Sequence, residues 1–211
     1  MTFRPGLPAG HAGAAVVRAD PADLDVLSRV IADAFCDLAP SRWLIADPAD
    51  RVEIFPGYFR LYLEDAMTSG IVCTTPDRTA AALWVYAGED EAGQADGYDT
   101  RLVTVTRPWT GRFAAFDATL DRHHPAGVAH CHLTILAVRP DVQGRGTGTA
   151  LLRAGHAWLD DEGLPAYLEA SGPRSRDLYL AHGYELRPDA PFNLPEGGPA
   201  MWPMMRKPGV P

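Results

Sequence analysis

A strand, a glycine-rich turn and a helix follow one another between residues 130 and 159, and this succession constrains the fold more than any other feature of the chain. Residues 133–138 form a short apolar run, which is typical of a buried strand. Pro140 ends that strand because proline cannot donate a ladder hydrogen bond. Glycines come next at alternate positions, namely Gly144, Gly146 and Gly148. Small or apolar residues at helical spacing follow them: Leu151, Leu152, Gly155, Trp158 and Leu159. Backbone amides and the positive end of a helix dipole therefore converge, which predicts a site for an anion such as a diphosphate.

The spacing of the glycines and their neighbours distinguishes three kinds of glycine-rich, phosphate-binding loop. A Walker A loop requires a Gly-Lys-Ser/Thr end, and residues 143–149 contain no lysine. The dinucleotide fingerprint Gly-x-Gly-x-x-Gly would need glycine where Thr149 stands, and only Glu169 could serve as its acidic residue. The remaining pattern, Gln/Arg-x-x-Gly-x-Gly/Ala, is met by Gln143, Gly146 and Gly148.

This pattern, preceded by a strand that ends in Val-Arg-Pro-Asp, resembles the acetyl-CoA-binding motif of the GCN5-related N-acetyltransferase family. A second match lies downstream, where the family carries a tyrosine four residues before a Gly-aromatic pair, as Tyr179, Gly183 and Tyr184 do here. The resemblance implies a single α/β domain with a mixed, strongly twisted sheet that is flanked by helices and splayed where the cofactor enters. It also implies acetyl-CoA as co-substrate and direct transfer of the acetyl group to an amine.

Within this family the chain is similar to the puromycin N-acetyltransferases, through residues 168–174, 194–199 and 204–209. The similarity implies that the acceptor is a primary amine of a small molecule, such as an aminonucleoside antibiotic, and that the protein confers antibiotic resistance. Two alternatives stay open. One is an acyl-CoA-binding module without turnover, and the other is transfer to a protein N-terminus or lysine.

The resemblance assigns cofactor contacts residue by residue. The amide of Val138, at the splayed end of the strand, is expected to face the thioester oxygen, and the loop amides are expected to hold the diphosphate. Ser175 stands where the family often has an asparagine that contacts the cofactor. The predicted cofactor-binding residues are Leu136, Val138, Gln143, Gly144, Arg145, Gly146, Thr147, Gly148, Thr149 and Ser175.

Tyr179 and Glu169 are the predicted catalytic residues. A phenol with a pKa of about 10 is protonated at neutral pH, so Tyr179 can protonate the departing thiolate. Glu169 is predicted to take the proton of the amine, directly or through water, with a structural ion pair as the alternative reading and His132 as an alternative base. His130 and His132 share one face of a strand, but no third ligand has suitable spacing, so no metal site is predicted.

The overall composition limits the partners and the location of the protein. A net charge of −8 on 211 residues, with no basic stripe, argues against nucleic acid and suits a cationic small substrate. Three widely spaced cysteines favour a reducing cytoplasm over a disulfide framework. No signal-peptide pattern and no apolar run of the roughly 20 residues that span a membrane are found, so a cytoplasmic protein without membrane association is predicted. The oligomeric state stays open, with a homodimer among the options.

The remaining segments complete the predicted domain. A loose tail over residues 1–13 precedes a domain over 14–207. Strands are predicted at 14–18, 70–75, 79–86, 166–170, 184–187 and 200–206. Helices are predicted at 20–35, 50–67, 98–122 and 178–182. The second of these helices is expected to break or kink at Pro56 and Gly57, and the third is expected to form in two pieces. The acidic segment 87–97 is predicted to be a solvated loop, or alternatively a lip that attracts cationic acceptors. Trp43, Trp84, Trp109 and Tyr62 are candidate walls of an apolar acceptor pocket.

Overall fold

A single mixed sheet forms the centre of the computed structural model, which describes residues 15–89 and 97–209. Its strands are β1 (Val17–Arg18), β2 (Gly70–Thr74), β3 (Ala80–Ala87), β4 (His130–Val138), β5 (Ala166–Ala170), β6 (Glu185–Leu186), β7 (Phe192–Asn193) and β8 (Ala200–Arg206). The spatial order is β1-β2-β3-β4-β5-β8-β6, with β7 paired to β8. Only β4 and β5 are parallel neighbours. The α/β class and the mixed sheet predicted from the sequence are confirmed.

Helices cover both faces of this sheet. They are α1 (Leu24–Phe35), α2 (Ala39–Leu44), α3 (Pro48–Ser69), α4 (Tyr98–Thr106), α5 (Thr110–His123), α6 (Thr147–Glu162) and α7 (Pro173–Leu180). The apolar side chains of α1, α3, α4 and α5 pack on one face of the sheet, and those of α6 and α7 pack on the other. No helix within the described ranges combines the length and the apolarity that crossing a membrane requires.

The two parallel strands at the centre separate after a short contact. Cys131 pairs with Ala166 and His132 pairs with Tyr167, and no later residue of β4 pairs with β5. Beyond this point β4 stays bonded to β3 as far as Val138, whereas β5 stays bonded to β8. The strands therefore diverge into a wedge, which is the splay that the family resemblance implied.

A β-bulge in β4 changes which side chains face each layer of helices. Leu83 on β3 pairs with Ile135, but the next residue of β3 pairs with Leu133, so Thr134 is an extra residue. Leu133 consequently packs with the α6 and α7 side, and Ile135 packs with the α1 and α3 side. Simple alternation along the strand would have placed both on one face.

Several predicted boundaries are wrong. The helix predicted to break or kink at Pro56 and Gly57 does not break, because the carbonyl that Pro56 leaves without a partner belongs to Val52, a residue that is 69% exposed to solvent. The short elements α2 and β7 were not predicted, and α7 ends at Leu180, two residues before the end of the predicted helical stretch. The predicted tail over residues 1–13 and most of the acidic segment 87–97 lie outside the described residues.

Close packing of α6 on the sheet yields a prediction about stability. A Cβ atom at Gly155 would lie 2.5 Å from two ring atoms of Trp84, which is fully buried on β3. We expect Gly155→Ala to lower the free energy of unfolding by about 1–3 kcal/mol, although alanine favours helix by up to ~1 kcal/mol. Urea denaturation measures this change.

Gly57→Ala on α3 is the matched control, because its Cβ would lie at an ordinary 3.5 Å from the Cβ of Val105. We expect that variant to be as stable as the wild type or more so. Equal stability of Gly155→Ala and wild type would contradict the packing of α6 against Trp84.

Candidate active site

The glycine-rich turn leads directly into α6, as predicted. Gly144 has φ +77° and Gly146 has φ +84°, a left-handed conformation that side chains rarely adopt. The first intrahelical bond is donated by the amide of Ala150 to the carbonyl of Gly146, at 2.9 Å. The amides of the three residues from Thr147 to Thr149 therefore precede the hydrogen-bonded part of the helix and lie at its positive end.

The glycines of the turn have different structural roles. A Cβ atom at Gly144 or Gly146 would meet nothing within 4 Å, so both positions need glycine for backbone conformation and not for local space. Gly148 lies in the first turn of α6, where a Cβ would contact Val138 at 3.6 Å and Leu136 at 4.0 Å. The start of α6 therefore rests on the end of β4.

Gln143 connects the turn to the end of β4. Its Nε2 donates to the carbonyl of Val138 at 2.9 Å, so this exposed side chain fastens the turn to the end of the strand. The nearby Arg145 is exposed and reaches only the carbonyl of Asp141, at 3.4 Å. The guanidinium of Arg139 makes two hydrogen bonds to the carboxylate of Asp141, at 2.6 and 2.9 Å, and its charge is therefore already paired.

The end of β4 directs backbone amides into the wedge. Arg139 donates its amide to Thr79, the residue that precedes β3, at 2.9 Å. Because successive amides of a strand point to opposite sides, those of Leu136 and Val138 point away from β3 and towards the side where β5 has diverged. The predicted contact of the Val138 amide with a thioester oxygen stays a prediction.

Tyr179 lies on α7, in the same apolar cluster as Leu136 and Val138. Its side chain is buried and its ring packs edge-on against Tyr184, with 5.6 Å between ring centroids. Burial raises the pKa of Tyr179 above its ordinary value, so the phenol keeps its proton at neutral pH.

Two further contacts place α7 relative to the loop. The hydroxyl of Thr149 at the start of α6 lies 3.4 Å from Nε2 of His182, which follows α7. The predicted cofactor contact Ser175 instead donates its hydroxyl to the carbonyl of Gly172, at 3.0 Å. Loop and tyrosine therefore border the wedge on one face of the sheet.

Glu169 lies on β5, on the opposite face, and contacts His132 across the vertex of the wedge. Its Oε2 lies 2.9 Å from Nε2 of His132, and its Oε1 is buried with no hydrogen-bond partner in the described structure. Burial by itself raises the pKa of Glu169, but the attraction and hydrogen bond of His132 outweigh it and hold the pKa below its ordinary value. Both residues were predicted from the sequence as candidates for proton transfer, but their contact with each other was not predicted.

Two more histidines, His124 and His130, contact the ring of Tyr167 beside this pair. Nε2 of His124 lies 3.1 Å from Nε2 of His130, whose Nδ1 lies 2.7 Å from the carbonyl of Val128. Burial is the main cause that lowers the pKa of both imidazoles, to about 4 for His124. Within the described ranges no three His, Cys, Asp or Glu side chains are arranged to hold a metal ion.

A cavity of about 310 Å³ lies between α2, the start of α5 and the segment before β8. Two of the four aromatic residues proposed for an acceptor pocket, Trp43 and Trp109, line it. The other two do not, because Trp84 is buried against α6 and Tyr62 bonds to Tyr58 inside the α3 and α5 layer. The complete lining is Trp43, Pro108, Trp109, Gly111, Arg112, Ala115, Pro195 and Glu196.

Hydrogen bonds fix the indole nitrogens of the two tryptophans of this cavity. Trp43 donates to the carbonyl of Pro195, another lining residue, at 3.1 Å, and Trp109 donates to the carboxylate of Asp50 at 2.9 Å. The guanidinium of Arg112 lies 4.8 Å from the centre of the Trp43 ring and 3.0 Å from Glu196. The two charged side chains that line the cavity, Arg112 and Glu196, are therefore paired with each other.

A buried carboxylate on α5 was missed by the sequence reasoning. Asp117 accepts a hydrogen bond from Tyr98 at 3.0 Å, and its other oxygen has no partner in the part of the chain that the structure describes. Burial raises the pKa of Asp117 to about 7, against the lowering effect of the Tyr98 hydrogen bond. No local pattern identified Asp117, Arg112 or Glu196, since each acquires its environment from distant segments.

Comparison with known proteins gives a consistent result. Residues 76–184, just over half of the chain, match the sequence model of the acetyltransferase (GNAT) family. A solved Corynebacterium glutamicum protein, named as histone acetyltransferase HPA2 and related acetyltransferase, is 24% identical with a TM-score of 0.65, over 93% of this chain and 97% of that one. Arylalkylamine N-acetyltransferase 2 from Aedes aegypti is 13% identical with a TM-score of 0.61, over 92% and 98% of the two chains. A GCN5-related N-acetyltransferase from Rhodopseudomonas palustris is 15% identical with a TM-score of 0.56, over 94% and 99%. These solved structures share the fold.

The pKa of Asp117 yields a prediction about stability and pH. Since this pKa is higher in the folded than in the unfolded protein, stability contributed by the protonated carboxyl is lost as pH rises from about 4 to about 7. We expect Asp117→Asn to gain stability relative to the wild type over this range, by up to about 4 kcal/mol at pH 8. Urea denaturation at pH 5 and pH 8 measures the difference, with the exposed Asp161→Asn as control. Parallel pH dependence in Asp117→Asn and wild type would contradict the burial of this carboxylate.

Proposed function

The chain belongs to the acetyltransferase (GNAT) family, and from this membership we propose that it transfers an acetyl group from acetyl-CoA directly to a primary amine of a small molecule. The observation that carries the proposal is the wedge between β4 and β5, which has the glycine turn and Tyr179 on one face and Glu169 with His132 on the other. The proposed transfer requires an anion site, a proton donor and a proton acceptor around one gap, and these residues are proposed to supply them.

The residues of the turn fit the diphosphate of coenzyme A. The unbonded amides from Thr147 to Thr149 and the positive end of α6 favour negative charge at this point. Two glycines with positive φ keep side chains away from it. Gln143 supports the site indirectly, because it fastens the turn to Val138.

The transfer requires four contributions from the protein. Acetyl-CoA supplies a thioester, to whose carbonyl carbon the amine nitrogen bonds as the carbon–sulfur bond breaks. The amide of Val138 is positioned to stabilise the negative charge that develops on the carbonyl oxygen, a kind of donor that contributes about 3 kcal/mol in other enzymes. Tyr179 protonates the departing sulfur, and the pair of Glu169 and His132 takes the proton lost by nitrogen. Binding of both reactants by the protein lowers the entropic cost of their encounter.

The acceptor that fits the cavity is a primary amine with a flat aromatic group. Its volume of about 310 Å³ is at the lower limit for small-molecule sites, which suits one aromatic group with a short chain. The faces of Trp43 and Trp109 suit stacking, and the Arg112–Glu196 pair leaves no net charge. An aminonucleoside such as puromycin combines an amine with aromatic rings, and the segment 194–199 that resembles its acetyltransferases supplies Pro195 and Glu196 to the cavity. The proposal includes a role in resistance and a cytoplasmic location, the latter supported by the free thiols of Cys36, Cys73 and Cys131.

A thiol-release assay with acetyl-CoA and a panel of amines tests the proposed activity. The panel contains puromycin, 2-phenylethylamine, an alkylamine of similar length and a lysine-containing peptide. Release of coenzyme A with a small amine supports the proposal. Binding of coenzyme A by calorimetry without release would identify a binding module instead, and release with the peptide alone would indicate a protein acceptor.

Tyr179→Phe tests the general acid. We expect kcat to fall by roughly 100-fold while the KM for acetyl-CoA stays close to that of the wild type, because the lost hydroxyl acts only as sulfur departs. Tyr184→Phe is the matched control, since this neighbouring buried tyrosine bonds through its hydroxyl to His156, at 3.1 Å. A folded Tyr179→Phe protein with the kcat of the wild type would refute the assignment.

Substitution of Trp109 tests the aromatic acceptor site. We expect Trp109→Ala to raise the KM for 2-phenylethylamine by about tenfold, corresponding to loss of one stacking contact, and to leave the KM for the alkylamine less affected. Trp109→Phe keeps an aromatic face and should retain most of the affinity. An equal effect of Trp109→Ala on both amines would show that the cavity does not bind the aromatic group.

A further inference from the structure

We propose that Nδ1 of His132, and not Glu169, takes the proton from the acceptor amine, and that Glu169 is a positioning residue that orients the imidazole. This inference rests on the proposed acetyl transfer and divides the roles within the Glu169–His132 pair. It assigns the role of general base to Nδ1 of His132, a residue that was predicted from the sequence only as an alternative base.

His132 occupies the vertex of the wedge. It is the last residue of β4 that pairs with β5, opposite Tyr167, and the strands diverge beyond it. The preceding Cys131 belongs to the apolar cluster under α6, so the imidazole points to the other face. Its ring therefore lies where the gap in the sheet begins, on the face opposite Tyr179.

The two members of the pair differ in accessibility. The side chain of His132 is 18% exposed, whereas that of Glu169 is 6% exposed. One oxygen of Glu169 already bonds to His132, and the other is closed to solvent. Of the two groups, the imidazole is therefore the more accessible to an acceptor amine.

Hydrogen-bond chemistry then assigns the proton within the imidazole. The lowered pKa of Glu169 keeps it ionised at neutral pH, and an ionised carboxylate only accepts hydrogen bonds. Nε2 of His132 must therefore carry the hydrogen in the contact of 2.9 Å. In a neutral imidazole this leaves the lone pair on Nδ1, for which the described part of the chain offers no hydrogen-bond donor.

The neighbouring histidines do not compete for the proton. Nδ1 of His130 donates to the carbonyl of Val128, because a carbonyl can only accept. Its Nε2 then accepts from Nε2 of His124. Burial lowers the pKa of both imidazoles and keeps them neutral, so neither takes up the proton of the amine.

The other polar groups around the pair complete its electrostatic environment. Burial raises the pKa of Tyr167 and keeps that phenol neutral. The pKa of Asp121 is raised mainly by burial and to a smaller extent by repulsion from Glu169. The guanidinium of Arg187 lies 5.9 Å from the centre of the Tyr167 ring. The groups that face the pair are His124, His130, Tyr167, Asp121 and Arg187.

In the transfer step the amine nitrogen forms its bond to the acetyl carbon and loses one proton to Nδ1 of His132. The electron pair of the carbon–sulfur bond leaves with sulfur, which receives a proton from Tyr179. The imidazolium then releases its proton to water and the tyrosinate of Tyr179 takes up a proton from water, so atoms and charge balance over one turnover.

Comparison of pH–rate profiles for His132→Gln and Glu169→Gln tests the proposal. With His132 as base, His132→Gln lowers kcat by roughly 100-fold or more and removes the enzyme's own acid limb from kcat/KM, which is distinguished from ionisation of the acceptor amine by comparing amines of different pKa. Glu169→Gln retains the enzyme's acid limb, because the imidazole is still present. A retained limb in His132→Gln together with its loss in Glu169→Gln would overturn the proposal and make the carboxylate the base.

His123→Gln is the matched control, because His123 forms a similar contact with Asp189, at 2.8 Å, away from the wedge. We expect its profile to equal that of the wild type.

Nitrogen-15 NMR of the histidines provides a readout independent of activity, in which His132 of the resting protein should carry its hydrogen on Nε2. A hydrogen on Nδ1 would overturn the proposal. No turnover with any amine, in a protein with the expected tautomer, would refute the acetyltransferase proposal and this role together, whereas normal turnover by His132→Gln would refute only the role.

Discussion

The separation of β4 from β5 after two residue pairs is the constraint on which the rest of the structure depends. Each strand is held firmly on its other side, β4 by β3 and β5 by β8, so the wedge does not close. Inside it, the backbone groups of β4 lack a strand partner and must be satisfied in another way. Gln143 satisfies the carbonyl of Val138.

The sheet also divides the proposed chemistry between its two faces. The face under α6 and α7 is apolar and contains Tyr179, whereas the other face carries Glu169 and the histidines. The bulge at Thr134 contributes to this division, because it turns Leu136 and Val138 towards α6 while Ile135 joins the opposite core. An acid for the departing sulfur and a base for the incoming amine are thereby kept apart, so neither neutralises the other.

Burial determines the protonation states on both faces. It keeps Tyr179 protonated, raises the pKa of Asp117 and holds His124 and His130 neutral. Glu169 is the exception, since its contact with His132 outweighs the cost of burying its charge. The protein therefore buries one ionised carboxylate beside the wedge, where its effect on His132 is strong because buried charges are weakly screened.

The sequence by itself determined the elements that depend on neighbours along the chain. Pro140 ended the strand, the glycines at 144 and 146 allowed the left-handed turn, and apolar spacing marked α6, because each effect acts within a few residues. Family resemblance added the splay and the residues around it. Only the tertiary structure decided the continuity of α3, the bulge, the contact of His132 with Glu169, and the cavity that joins Trp43 to Pro195 across 152 positions of the chain. Such contacts depend on how the layers pack, and no local pattern of side chains encodes the distance between segments that meet only after the sheet has formed.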